Sequence, residues 1–222
     1  MSFNEAKFRK YFNRKEDISD LKKYLKIVNN FKKAIDKNEV IKGIAKKLIK
    51  GRSEGIFFDN LGYFDEYSTA CAPLEKMHFE GEKITVGLKI RHLEDKVANE
   101  AVSTKALLYT SSGTYSVPPV SIIKFKHLEK EFLAYFVQYF QLIKGVESDL
   151  DREILKITEK KGISPWIGGA CAMINKKGKE LPVFFDTDHV QSNIDYFSEP
   201  MKSRLNFIKD ILNSEEYVVN LD

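Results

Sequence analysis

Residues 128–143, LEKEFLAYFVQYFQLI, set the strongest constraint on the fold, because they are apolar almost all round. Phe132, Leu133, Tyr135, Phe136, Val137, Tyr139, Phe140, Leu142 and Ile143 leave no polar stripe to face water. A helix without a polar face is buried on every side. The sequence therefore predicts a central apolar helix over 128–143, around which the remaining elements pack. Such an aromatic run can also stack bases or a cofactor, but core packing is its commoner use.

The second constraint is charge. The chain carries 36 Lys and Arg against 32 Asp and Glu, a net of +4. Residues 1–53 hold 16 basic against 6 acidic side chains, a net of +10, which leaves −6 for residues 54–222. An asymmetry of this kind points to an anionic partner for the basic part, or to docking on an acidic surface.

The basic part reads as helix. In DLKKYLKIVNNFKKAI, Leu21, Tyr24, Leu25, Val28, Phe31 and Ile35 follow a 3.6-residue period, with Lys22, Lys26 and Lys33 on the other side. In NEVIKGIAKKLIKG, Val40, Ile41, Ile44, Ala45, Leu48 and Ile49 form the buried stripe. Lys42, Lys46 and Lys50 stack at i, i+4 and i+8, and Gly51 is a natural stop. Lysine rows of this kind commonly do no more than solvate a packed helix. On a rigid helix they also neutralise phosphates without reading bases, and they suit an acidic groove on a protein. A membrane surface fits less well, since neither apolar face carries a Trp.

Beyond Ser53 the pattern becomes mixed. Residues 55–59 and 83–91 read as strands, with turns at residues 60–62 and at Gly81. The spacing predicts helix over 94–108 and extended chain from about Ala106 to Phe125. A helix begins at Ser148 and closes at Gly162. A hairpin spans Trp166 to Phe185, and a last helix runs from Glu199 to Asn213 with Pro200 in its first turn. The terminal EYVVNL reads as an edge strand.

With 43% hydrophobic residues the chain can fill a substantial core. The expected class is α+β: basic N-terminal helices packed with a mixed, mainly antiparallel sheet and the central helix. Residues 1–53 form the basic segment and 54–222 the α+β domain, together one continuous globular unit. Cys71 and Cys171 are too few for a disulfide framework and lack zinc-site spacing. The first ten residues have no apolar h-region. The uncharged run from Ala106 to Ile123 contains Pro118-Pro119, which does not suit a membrane span. A cytoplasmic protein without a membrane partner is the expectation.

No dinucleotide, phosphate-loop, HExxH, CxxC or GxSxG signature is present. Four weaker patterns remain. Asp186, Asp188 and His189 follow the apolar stretch 183–185, where carboxylates can hold a divalent cation such as Mg that activates water. Asp188 and Gln191 equally match a capping box, so the same residues can simply start a helix. Glu94 and Lys96 follow the strand at 83–91, and with a distant acid at Glu80, Asp65 or Asp59 they resemble the acid and lysine of metal-dependent nucleases. In so charged a chain, a solvated turn explains that triplet as well. Cys71 or Cys171 with His189 would need an electropositive, partly exposed thiol. The loop TSSGTYSVPP, 110–119, offers hydroxyls to a phosphate or merely to its own backbone.

Charge thus favours binding or processing of nucleic acid, with Lys22, Lys26, Lys33, Lys42, Lys46 and Lys50 on phosphates. Its enzymatic form is a metal-dependent phosphodiesterase using Asp186, Asp188, Glu94 and Lys96. The competing reading is a non-catalytic assembly protein whose basic helices dock on an acidic partner or on another copy.

Overall fold

A computed structural model describes residues 8–12, 14–53, 72–90, 102–103, 106–107, 109, 120–127, 130–139, 142–143, 171–176, 179–184 and 198–221. The two basic helices form as their periodicity requires. Helix α1 spans Lys15–Asp36 and α2 spans Glu39–Ser53. Glu16 and Asp17 lie in the first turn of α1 and Lys33 in its last, each matching the sign of the helix dipole. The chain turns at Lys37-Asn38, where the Asn38 amide donates to the Ile35 carbonyl at 2.8 Å. Asn38 then caps α2: its Oδ1 accepts the Ile41 amide at 3.1 Å. Gly51 does not stop α2, which continues to Ser53; a buried glycine there is tolerated within the last turn.

The chain divides into two compact units, and the division falls inside α1, between Lys26 and Ile27. One unit comprises residues 27–99, 118–140 and 212–222. Its described strands are β1 (Ala72–Phe79), β2 (Glu82–Ile90), β3 (Val120–His127), β4 (Lys130–Tyr139) and β8 (Val219–Asn220). They form one sheet in the order β1-β2-β4-β3-β8. Every pairing is antiparallel except β3 with β8, where Ile123 lies opposite Val219. The sheet is therefore mixed and mainly antiparallel, and the C-terminal segment is an edge strand as its β-branched residues suggest. The β1–β2 hairpin turns at Glu80-Gly81, with φ of 49° and 82°. Two positive φ values in a two-residue loop define a type I′ turn.

The expected helix over 128–143 is not what forms: residues 130–139 are strand β4, and Leu142–Ile143 is the short strand β5. β4 lies in the middle of the sheet, with β2 on one side and β3 on the other. Ala134, Tyr135, Phe136 and Val137 are all buried, although alternate side chains point to opposite faces. A strand covered on both faces is apolar at every position, which from sequence resembles an all-apolar helix.

The core of this unit joins helix to sheet. Phe31 and Ile35 from α1, with Ile41, Ala45, Leu48 and Ile49 from α2, pack with Met77, Ile84, Val86, Leu88, Ile90, Ile123, Ala134 and Phe136. Val40, expected in the buried stripe of α2, is instead 62% exposed. It occupies the second helical position, beside fully buried Ile41, and faces solvent. β2 confirms the strand expected at 83–91, but Gly87 and Lys89 on its reverse face are buried too.

The other unit comprises residues 1–26, 100–117 and 141–211. It contains a three-stranded antiparallel sheet of β5, β6 (Cys171–Lys176) and β7 (Lys179–Phe184), in that order. β6 and β7 form the hairpin expected within 166–185. Residues 102–103, 106–107 and 109 are helical, so Ala106 and Leu107, expected to open an extended segment, are helix, while Val120–His127 is strand β3. Helix α3 spans Glu199–Leu212, with Met201, Leu205, Ile208 and Leu212 buried as their spacing predicts. The strand expected at 55–59 and the helix expected from Ser148 lie outside the described residues.

Aromatic packing organises this second unit. Phe207 stacks on Tyr11 at 4.4 Å and meets Phe8 edge-on at 5.0 Å. Arg204 lies over the Phe12 ring at 5.1 Å and donates its Nε to the Tyr11 carbonyl at 2.9 Å. Deeper in the unit, Tyr24 packs beside Tyr109 with ring centroids 5.2 Å apart. The Tyr24 hydroxyl is buried without a hydrogen-bond partner among the described residues. Burial, and secondarily Tyr109, holds its pKa far above the usual tyrosine value. An unpaired buried hydroxyl is costly, so Tyr24→Phe is expected to raise stability by about 1 kcal/mol. In a chain of this length that is a rise of about 2–4 °C in Tm by calorimetry. A fall in Tm would show that the hydroxyl is satisfied.

Candidate nucleic-acid interface

The lysines of the two helices differ sharply in their surroundings. On α2, Lys42 pairs with Glu39 at 2.7 Å, and Lys46 Nζ donates to the Leu221 carbonyl at 3.4 Å. Lys42, Lys46 and Lys50 are all half-buried, and Lys50 also has an interaction partner. The row at i, i+4 and i+8 exists as its spacing predicts, but it leans on the protein itself. Lys47, one position from the row, is exposed and forms no ion pair among the described residues.

On α1, Lys23 pairs with Asp20 at 3.3 Å and Lys32 with Asp36. Lys22 is half-buried and has a partner, whereas Lys26 is exposed. Lys33 and Lys37 are exposed and form no ion pair among the described residues. Lys37 adds a second cation four residues after Lys33, in the turn that directly follows α1, and both line the same groove wall. Their charges are therefore available to an external anion.

Lys33 and Lys37 border a groove of about 690 Å³ in the unit that holds the five-stranded sheet. One wall is Asn30, Lys33, Ala34, Lys37 and Asn38; the other is the end of β1 and its turn, Met77 to Glu80. Phe79 meets Phe31 edge-on at 5.4 Å, which fixes the distance between helix and hairpin. The alternation of β1 puts Met77 and Phe79 on the helix side of the sheet and His78 on the reverse. Glu80 Oε1 accepts from Asn30 Nδ2 at 3.4 Å across the groove. Cations, amides and an aromatic side chain thus share one concave surface.

Asp186, Asp188, His189, Glu94 and Lys96 lie outside the described residues, as do Asp59 and Asp65. Glu80, considered as a distant acid, sits at the hairpin turn. Among the described residues no three His, Cys, Asp or Glu side chains are grouped to hold a metal ion. No described helix is long and apolar enough to cross a membrane.

Lys37, Asn30, Asn38 and Phe79 are absent from the residues that sequence singles out. Lys37 carries a local signal, the i+4 spacing from Lys33. Phe79 carries none, because only folding brings it beside α1. No family model, curated protein or solved structure matches the chain.

Proposed function

We propose that this protein binds nucleic acid, with lysines of α1 and α2 contacting the phosphate backbone. The observation that carries this reading is the net +10 of residues 1–53, together with the exposed, unpaired state of Lys33, Lys37 and Lys47 among the described residues. Lysines on helices held rigid by a packed core neutralise phosphates at little conformational cost and without sequence preference. Lys42 and Lys46 are partly committed to intramolecular partners, so their share in binding is smaller than their regular spacing suggests.

Fluorescence anisotropy with labelled single- and double-stranded oligonucleotides, measured across a salt series, tests this directly. The expected result is binding at low salt that weakens linearly in log–log coordinates. The slope is about −0.7 per neutralised phosphate on a single strand and about −0.9 on a duplex. Absence of binding at low salt removes the reading. The protein-docking alternative then takes its place, with an apolar interface that salt affects much less.

A further inference from the structure

We infer that the groove between the second half of α1 and the β1–β2 turn is a subsite for single-stranded nucleic acid. Phosphates would lie against Lys33 and Lys37, and a base would pack against Phe79. This rests on the nucleic-acid reading above and specifies its strand type and location. Lys23, Lys32, Lys42 and Lys46 have internal partners, while Lys33 and Lys37 have no ion pair among the described residues. Lys33 lies in the last turn of α1 and Lys37 in the turn that follows, so both cations border the same end of the groove.

Single-strand sites combine a positive groove with aromatic side chains on which bases pack irrespective of sequence. Here Lys33 and Lys37 supply the charge and half-buried Phe79 the aromatic surface, within about 690 Å³. That volume is of the size that takes a small ligand. An unstacked base can reach Phe79 there, whereas the bases of a duplex are turned inward.

Glu80 supplies a variant that separates charge from fold: it holds φ at 49°, a conformation that favours Asn, Asp or Gly at this turn position, and its carboxylate accepts from Asn30. A carboxylate at the mouth of a cationic groove weakens phosphate binding. Glu80→Asn removes the charge and places the residue type that a type I′ turn prefers.

The test is anisotropy of the full-length protein with labelled oligothymidylate and with a duplex of equal length. The Lys33→Ala/Lys37→Ala double variant is expected to flatten the single-strand salt slope by about 1.4, which is about 25-fold in affinity at about 0.1 M salt. Phe79→Leu, which keeps the apolar packing and removes the ring, is expected to cost at least about fivefold. Glu80→Asn is expected to tighten binding without lowering Tm. Circular dichroism establishes that each variant is folded. If the wild-type protein binds oligothymidylate but the lysine and Phe79 variants match it, the groove is not the subsite and the nucleic-acid reading stands. Duplex bound as tightly as single strand also overturns the subsite. Failure of the wild-type protein to bind either overturns both.

Discussion

Phe136→Ala is expected to remove about 3–5 kcal/mol of stability, the cost of emptying a fully buried aromatic position that cannot collapse. Phe136 has no exposed surface and belongs to the core that joins α1 and α2 to the sheet. It lies opposite Leu88 on β2 and Ser121 on β3, so the β-sheet backbone fixes its surroundings on both sides. A domain has only about 5–15 kcal/mol in hand, so this single truncation consumes a large share. Urea unfolding measures it as a shift in midpoint at unchanged slope. Tyr139, at the end of the same strand and 36% exposed, supplies the contrast: Tyr139→Ala should cost markedly less. Equal, small losses at both positions would contradict the central place of β4.

That experiment bears on what could be read from the chain before folding. Helices α1 and α2 were legible because each buries one face and wets the other. Leu21, Tyr24, Leu25, Val28, Phe31 and Ile35 recur at helical spacing, and all six are buried. β4 was not legible for the opposite reason. With Ala134 to Val137 buried on both faces, alternation vanishes, and length with apolarity suggests a helix. The five aromatic residues of FLAYFVQYF, with Val137, were the available signal for strand, since such side chains suit a pleated surface.

The candidate site divides in the same way. The basic character of α1 and α2 is a property of composition and needs no tertiary structure. Which lysines stay free does. Lys46 reaches a carbonyl 175 residues away in sequence, and Lys42 turns back to Glu39 within its own first turn. The groove brings residues 30–38 beside residues 77–80, a long-range contact with no local spacing to announce it. Glu80 shows the same limit: Gly81 marks the turn, but only the backbone shows that Glu80 itself adopts a left-handed φ.

Asp17→Ala is expected to destabilise by about 2–3 kcal/mol, chiefly by leaving the mostly buried Arg204 guanidinium without its carboxylate partner. The Asp17 side chain is only 5% exposed, and it accepts from Arg14 Nε at 3.0 Å and from Arg14 Nη2 at 2.6 Å. Arg204 Nη1 lies 3.9 Å from Oδ2, the oxygen that also accepts from Arg14 Nε. The Arg14 guanidinium is held above its usual pKa, chiefly by its hydrogen bond to Asp17. Arg14 is more than half exposed, so solvent screens its share and the pair alone contributes little. The larger loss comes from Arg204, whose side chain is 15% exposed and would keep, among the described residues, the Tyr11 carbonyl and the Phe12 ring. Asp17 also lies in the first turn of α1, where a carboxylate meets the positive end of the dipole. A double-mutant cycle with Arg204→Ala separates these contributions. Coupling of about 0.5–3 kcal/mol is expected if the carboxylate and Arg204 act as one network. Additive losses would show that Asp17 works through the helix terminus and Arg14 alone, and that Arg204 is held by its aromatic neighbours.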